Sequence, residues 1–180
     1  MAVSAPVPGL LVASILGRDL PSVDGAAIQC GEQLGRLCFR SEPLPFACTE
    51  YYQDELGPAP ARRIIAFERL EDTSVLAEIK RQTCRLEVAL SSAGSGRQLN
   101  IDPGILGQDQ LVLASTKPRR HRLHLGRGIY GDLMLLRGPG GFEPLPWTYP
   151  DYAGPALRDI FERLRELLLQ TRRSRRETRA

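Results

Sequence analysis

Short apolar runs alternate with longer amphipathic stretches along the chain, and the alternation predicts its elements. Leu11–Leu16 is an unbroken apolar run of strand length. Pro21-Ser22 then opens a helix, with Ser22 as N-cap, Gly35 as stop, and Val23, Ala27, Cys30 and Leu34 on one face. Arg36–Leu44 reads as a second strand, ended by Pro43 and Pro45, and Arg62–Phe67 as a third. The second helix is capped by Asp72 or Thr73 and buries Val75, Ile79, Thr83, Leu86 and Leu90. Ser91–Gly96 is a loop of small residues, and Arg97–Asp102 a fourth strand closed by an Asp102-Pro103-Gly104 turn.

To this point the order is strand, helix, strand, strand, helix, strand. It predicts an α+β fold with a ferredoxin-like split β-α-β core and its first two helices on one face of an antiparallel sheet. Further strands are expected over Gln110–Thr116, His121–Leu125, Ile129–Leu136 and Phe142–Leu145. Gly126-Arg127-Gly128 is a tight hairpin whose glycines supply positive φ. A last helix starts at Pro155 or Ala156 and buries Leu157, Ile160, Phe161, Leu164 and Leu168. Residues 1–170 are expected to form one domain, followed by a basic, disordered tail over 171–180.

Charge refines the picture. The net charge is only +3, but residues 171–180 hold five Arg and one Glu. Residues 114–131 hold Lys117, Arg119, Arg120, Arg122 and Arg127 with no acid. The positive charge is placed rather than spread, which concerns partners rather than fold. No apolar run reaches the eighteen or so residues of a membrane span, so no membrane partner is expected. No Lys or Arg precedes the uncharged N-terminal run, and Pro6 and Pro8 flank it, so a cytoplasmic location is expected rather than export. Cys30, Cys38, Cys48 and Cys84 form no C-x-x-C pair and only two histidines exist, so the thiols are expected to be reduced and mostly buried, with no metal site.

Several segments together resemble the domain-of-unknown-function family 4416. They are Ser41-Glu42-Pro43-Leu44-Pro45-Phe46, Thr49-x-Tyr51-Tyr52-x-x-Glu55-x-Gly57, Asn100-x-Asp102-Pro103-Gly104 and Leu113-Ala114-x-Thr116-Lys117. His121-Arg122, Gly128-Ile129-Tyr130 and Trp147-Thr148-Tyr149-Pro150-Asp151-Tyr152 complete the set. His124, Gly131 and Ala153 depart from the family's usual Tyr, Ala and Arg. The resemblance implies a small bacterial cytosolic protein of no established activity, whose relatives are often labelled GTP-binding. A P-loop, however, needs a Gly-Lys dipeptide for its phosphate cradle, and none occurs, nor does an Asn-Lys-x-Asp element. A kinase-like glycine loop at Leu125–Leu133 lacks the catalytic segments that must follow it.

The leading expectation is a site for a small anionic, nucleotide-like ligand, with or without a catalytic step. Lys117, Arg122 and His121 would contact the anion, while Asp102, Tyr130 and Asp151 shape the pocket. Strand alternation places His121, Leu123 and Leu125 toward the core and turns Arg122 and His124 away. Asp102 and Asp151 also have ready explanations as turn and cap residues. Trp147–Tyr152 reads first as packing for the last helix, and the loop residues Tyr51 and Tyr52 as more functional. The alternatives are a non-enzymatic adaptor, and an RNA binder using the sheet and the basic segments, although no RNP-type sequence is present. The cofactor, if any, is not readable from these residues.

Overall fold

The computed structural model describes residues 2–46, 56, 60–91 and 98–177. Its strands are β1 (Gly9–Gly17), β2 (Leu37–Arg40), β3 (Leu44–Pro45), β4 (Ala61–Glu71), β5 (Leu99–Leu106), β6 (Gln110–Ser115), β7 (Leu123–Gly126), β8 (Ile129–Gly138) and β9 (Gly141–Pro144). The helices are α1 (Leu20–Leu34), α2 (Leu76–Leu90), α3 (Pro150–Ala153) and α4 (Pro155–Glu177). All strands join one antiparallel sheet in the order β2-β4-β1-β5-β6-β8-β7, with β3 on β4 and β9 on β8. The fold is α+β, as expected. α1 joins β1 to β2 with β4 between them, and α2 joins β4 to β5 with β1 between them.

β1 is buried along its whole length because both faces of the sheet are covered, so it reads as a continuous apolar run. Its odd residues Leu11, Ala13 and Ile15 meet Val23, Cys30 and Leu34 of α1 and Leu76, Ile79 and Leu86 of α2. Its even residues Leu10 and Val12 meet Leu157, Phe161, Leu164 and Leu168 of α4. The first two helices therefore share one face and the last helix takes the other. Each large apolar side chain fully buried there contributes about 1.5–3 kcal/mol. Among the described residues no helix is long and apolar enough to cross a membrane.

Several local expectations are corrected. Asp19, not Ser22, caps α1, its carboxylate accepting from the Ser22 amide at 2.8 Å with Pro21 in the first turn. Those Ser22 hydrogen bonds hold the Asp19 carboxyl below its ordinary value, so the cap is in place above about pH 4 and fades as the pH falls. Asp19→Ala is expected to lower stability by about 1 kcal/mol at neutral pH and by less in acid, read by urea unfolding. The second predicted strand is broken into β2 and the two-residue β3. Asp102-Pro103-Gly104 is no turn: it lies inside β5, whose ladder to β6 begins only at Gly104↔Leu113. Pro103, lacking an N–H, stands just before the β5–β6 pairing begins, and a Cβ on Gly104 would meet Val112 O at 2.7 Å.

Two further corrections concern surfaces. Arg122 is buried and Leu123 is 76% exposed, because the strand starts only at Leu123 and lies on the sheet edge. Residues 171–177 continue α4 instead of forming a disordered tail; Arg172 donates to the Pro8 carbonyl and Arg175 to the Glu68 carbonyl at 3.3 Å. Of the cysteines, Cys30 is buried, Cys84 half-buried and Cys38 exposed on the edge strand β2, all free thiols. Cys48, Tyr51 and Tyr52 lie outside the described residues. Gly126, Arg127 and Gly128 all have positive φ (97°, 53° and 75°), as the hairpin reading requires.

Candidate functional site

β5 and β6 pair only over Gly104–Leu106, so the sheet splits between the start of β5 and the end of β6. β6 continues on β8 to Ser115↔Tyr130, while β5 stays on β1 to Gly17↔Leu99. The split opens onto the face that α4 covers farther along. There, opposed residues of three strands stand in one row, Arg62–Leu16–Asn100, with Ser14–Asp102 beside it. The segment 117–122 and the residues around α3 close the other side. The result is a cleft of about 260 Å³, with a smaller one of about 60 Å³ behind it that shares Asn100, Asp102, Lys117 and Tyr149.

Five of the six residues expected from sequence line this cleft: Asp102, Lys117, His121, Arg122 and Asp151. Tyr130 does not. It sits opposite His124 in the β7–β8 ladder with the two rings 5.2 Å apart. Neither Gly126 nor Gly128 is among the lining residues.

Arg122 has a role different from the one expected. Its Nε and Nη2 both reach Asp132 Oδ2 at 2.8 Å, and Nη2 also donates to the Tyr149 hydroxyl at 2.5 Å. Nη1 donates to Ser115 Oγ and to the Lys117 carbonyl, both at 2.8 Å. A guanidinium has five N–H groups, and this set engages them all. Arg122 therefore clamps β6, the 115–117 turn, β8 and the aromatic segment together, and has no donor left for a ligand.

Asp102 is held by Asn100 Nδ2 at 2.5 Å and by Lys80 Nζ at 2.9 Å. Lys80 rises from the opposite face of the sheet, fully buried, and also donates to the Ile101 carbonyl at 2.7 Å. Burial works against its charge, but Asp102 and Glu87 outweigh that and hold its pKa above the ordinary value. Among the described residues Asp151 shows no side-chain hydrogen bond into α4; its Oδ1 accepts from the Tyr152 amide at 3.0 Å. One of its oxygens binds Arg62, whose guanidinium lies 4.5 Å from the centre of the Phe46 ring and 5.5 Å from that of Tyr152. Among the described residues Arg62 Nε is buried without a hydrogen-bond partner.

The aromatic segment divides its work. Tyr152 is buried, stacks on Phe161 of α4 at 5.9 Å, and shares a hydrogen bond with Ser14; burial pushes its phenol pKa up. That is the packing role expected. Trp147 and Tyr149 line the cleft beside it, with Trp147 Nε1 donating to the Leu133 carbonyl at 2.8 Å. Burial also raises the Tyr149 pKa, opposed by Arg122. His121 stacks on Trp147 at 5.1 Å with ring planes 11° apart.

Sequence reasoning missed Arg62, Asn100, Lys80 and Arg119 as cleft residues and did not select Asp132 for the site. Arg62 carried a signal: Ile64 and Ala66, which follow it on the same face of β4, are apolar. Among the described residues no three His, Cys, Asp or Glu side chains gather as a metal site.

The family model described as domain of unknown function (DUF4416) matches residues 8–168. The chain belongs to that family. Neither a curated protein nor a solved structure matches it. The DUF4416 region takes in every residue of the cleft, from Leu16 to Tyr152, and excludes the last nine described residues of α4.

Proposed function

We propose that the cleft binds a small anionic ligand carrying a flat ring and hydrogen-bond donors, nucleotide-like in its chemistry. The observation that supports this is the composition of one wall set: four cations, Arg62, Lys117, Arg119 and Arg122, against two carboxylates, Asp102 and Asp151. The buried cations are matched, Arg62 by Asp151 and Arg122 by Asp132. Lys117 and Arg119 lie exposed at the mouth of the cleft. An anion is drawn to that mouth. Trp147 and Tyr149 offer ring faces, and the Asp102 carboxylate, 30% exposed, accepts from a ligand N–H or O–H.

The test is calorimetry with orthophosphate, GMP, AMP and GTP, with and without Mg²⁺. Mononucleotides are expected to bind, and the Lys117→Ala, Arg119→Ala double variant to bind them about tenfold more weakly, the loss shrinking as salt rises. Because the chain has no Gly-Lys dipeptide and the Gly126–Gly128 turn is not part of the cleft, submicromolar, Mg²⁺-dependent selectivity for GTP over ATP is not expected. Absence of binding at millimolar concentrations, or an unchanged double variant, overturns the proposal and leaves the adaptor reading. The RNA reading has little footing on the sheet, since α1 and α2 cover one face and α4 the other.

A further inference from the structure

Asp132 is almost fully buried, and Arg122 contacts only one of its oxygens, Oδ2, with both Nε and Nη2. A carboxylate serving simply as counter-ion to an arginine commonly offers both oxygens to the guanidinium fork. Among the described residues Oδ1 is buried without a hydrogen-bond partner, which costs about 1–3 kcal/mol. The one described side chain that faces it as a charge partner is His121, with Nε2 3.5 Å from Oδ1. That distance is longer than a full hydrogen bond, and a contraction of a few tenths of an ångström closes it.

His121 is fixed from the other side too. Its ring lies flat on Trp147, and Trp147 is itself pinned to the Leu133 carbonyl. The imidazole plane is thus set by a stack and its Nε2 edge by a buried carboxylate. The side chain lines the cleft and remains 19% exposed, and among the described residues its Nδ1 has no hydrogen-bond partner.

We propose that His121 is a general base of this cleft and that Asp132 is its positioning residue. The proposal deepens the ligand-binding reading above and rests on it for the substrate, a small anion that presents an O–H group, its own or that of a water, to Nδ1. Asp132 holds the ring proton on Nε2, which leaves the lone pair on Nδ1. In the step itself the O–H bond breaks and its electron pair stays on oxygen. A new N–H bond forms at Nδ1, and Asp132, still ionised, opposes the imidazolium charge. Asp102, a carboxylate that also lines the cleft, is engaged by Asn100 and Lys80.

The chain has only two histidines, so the His124→Gln variant isolates His121. In ¹⁵N-histidine protein at a pH where the ring is neutral, His121 is expected in the Nε2–H tautomer, with a pyridine-type Nδ1 resonance. Asp132→Asn is expected to erase that preference. An Nδ1–H tautomer in the His124→Gln protein overturns the proposal, as does an unchanged preference in a folded Asp132→Asn protein. If Asp132→Asn does not fold, the first spectrum alone decides.

Access of the lone pair to the cleft is read by acylation with diethyl pyrocarbonate. His121 is expected to react, and GMP at about ten times its Kd to slow the reaction about tenfold. Reaction unaffected by bound GMP places Nδ1 outside the cleft and also overturns the proposal. The two readings fail separately: calorimetry without any anion binding sinks the ligand proposal whatever the tautomer, and a wrong tautomer sinks the base whatever the calorimetry.

Discussion

Replacing Arg122 by methionine is expected to destabilise the protein by about 3–5 kcal/mol, the range for removing one partner of a buried ion pair. The side chains of Arg122 and Asp132 are each only 3% exposed. Without the guanidinium, Asp132 stays buried and keeps only the long contact to His121. Ser115 Oγ, the Lys117 carbonyl and the Tyr149 hydroxyl lose the donor that ties their segments together. Since Lys117 and Tyr149 line the cleft, the same change should weaken ligand binding more than any loss of a direct contact at Arg122 could. Urea unfolding measures the first effect. The double variant Arg122→Met, Asp132→Leu separates charge burial from geometry, because it removes the stranded carboxylate and should recover much of the stability without restoring the cleft. A loss below about 1 kcal/mol in the single variant would place the pair among those that stabilise little.

Arg122 also shows what periodicity misses. Alternation from His121 turned it outward, but alternation holds only within a strand, and β7 begins one residue later. The Arg122 side chain is placed by Asp132, ten residues on, which no local pattern announces. β1 was legible because a strand covered on both faces must be apolar throughout. The stripes of α1 and α4 were legible for the corresponding reason on one face. The stripe of α2 was read in part: Ile79, Thr83 and Leu86 hold, but the buried set also takes Lys80 and Glu87. Their charges are satisfied by β5 through the Ile101 backbone and Asp102, contacts that exist only after folding.

The cleft was legible as residue types and not as an arrangement. Asp102, Lys117, His121 and Asp151 stood out as polar groups in distinctive segments, whereas Arg62 and Asn100 enter through strand register. Arg62 and Arg63 are neighbours in sequence, yet Arg62 faces the cleft while Arg63 reaches Asp24 of α1 at 2.5 Å. A shift of one residue in the β1–β4 pairing would exchange them. The Asp102-Pro103-Gly104 segment misled for a related reason. Its Pro and Gly suit the divergence of two strands as well as they suit a turn, and that divergence creates the site.

Stability is expected to fall steeply with rising pH above about 9, with Cys30 as the first contributor. Burial, helped by the Glu87 charge, pushes this thiol from 9.0 up to about 12. Below pH 9 it is protonated in both the folded and unfolded states and contributes no pH dependence. Between 9 and 12 the unfolded chain ionises while the folded chain does not, so the unfolded state binds fewer protons and stability drops as the pH rises. One group in that interval gives a slope of roughly 1.4 kcal/mol per pH unit. Tyr152 and Tyr149, raised above 10.0 mainly by burial, act in the same direction from about pH 10. Lys80 adds to them: its folded pKa lies above 10.5, so the support it gives through Asp102 and Glu87 is intact below that pH and is lost as the pH rises through the folded value. Urea unfolding from about pH 8 to about pH 11 reads the combined slope. In Cys30→Ala the limb between about pH 9 and 10 should flatten, although the neutral stability is lower because the Cys30 site is fully buried. An equal slope in the variant would remove Cys30 from the account. A flat profile to about pH 11 in the parent protein would contradict the combined contribution of Cys30, Tyr152, Tyr149 and Lys80.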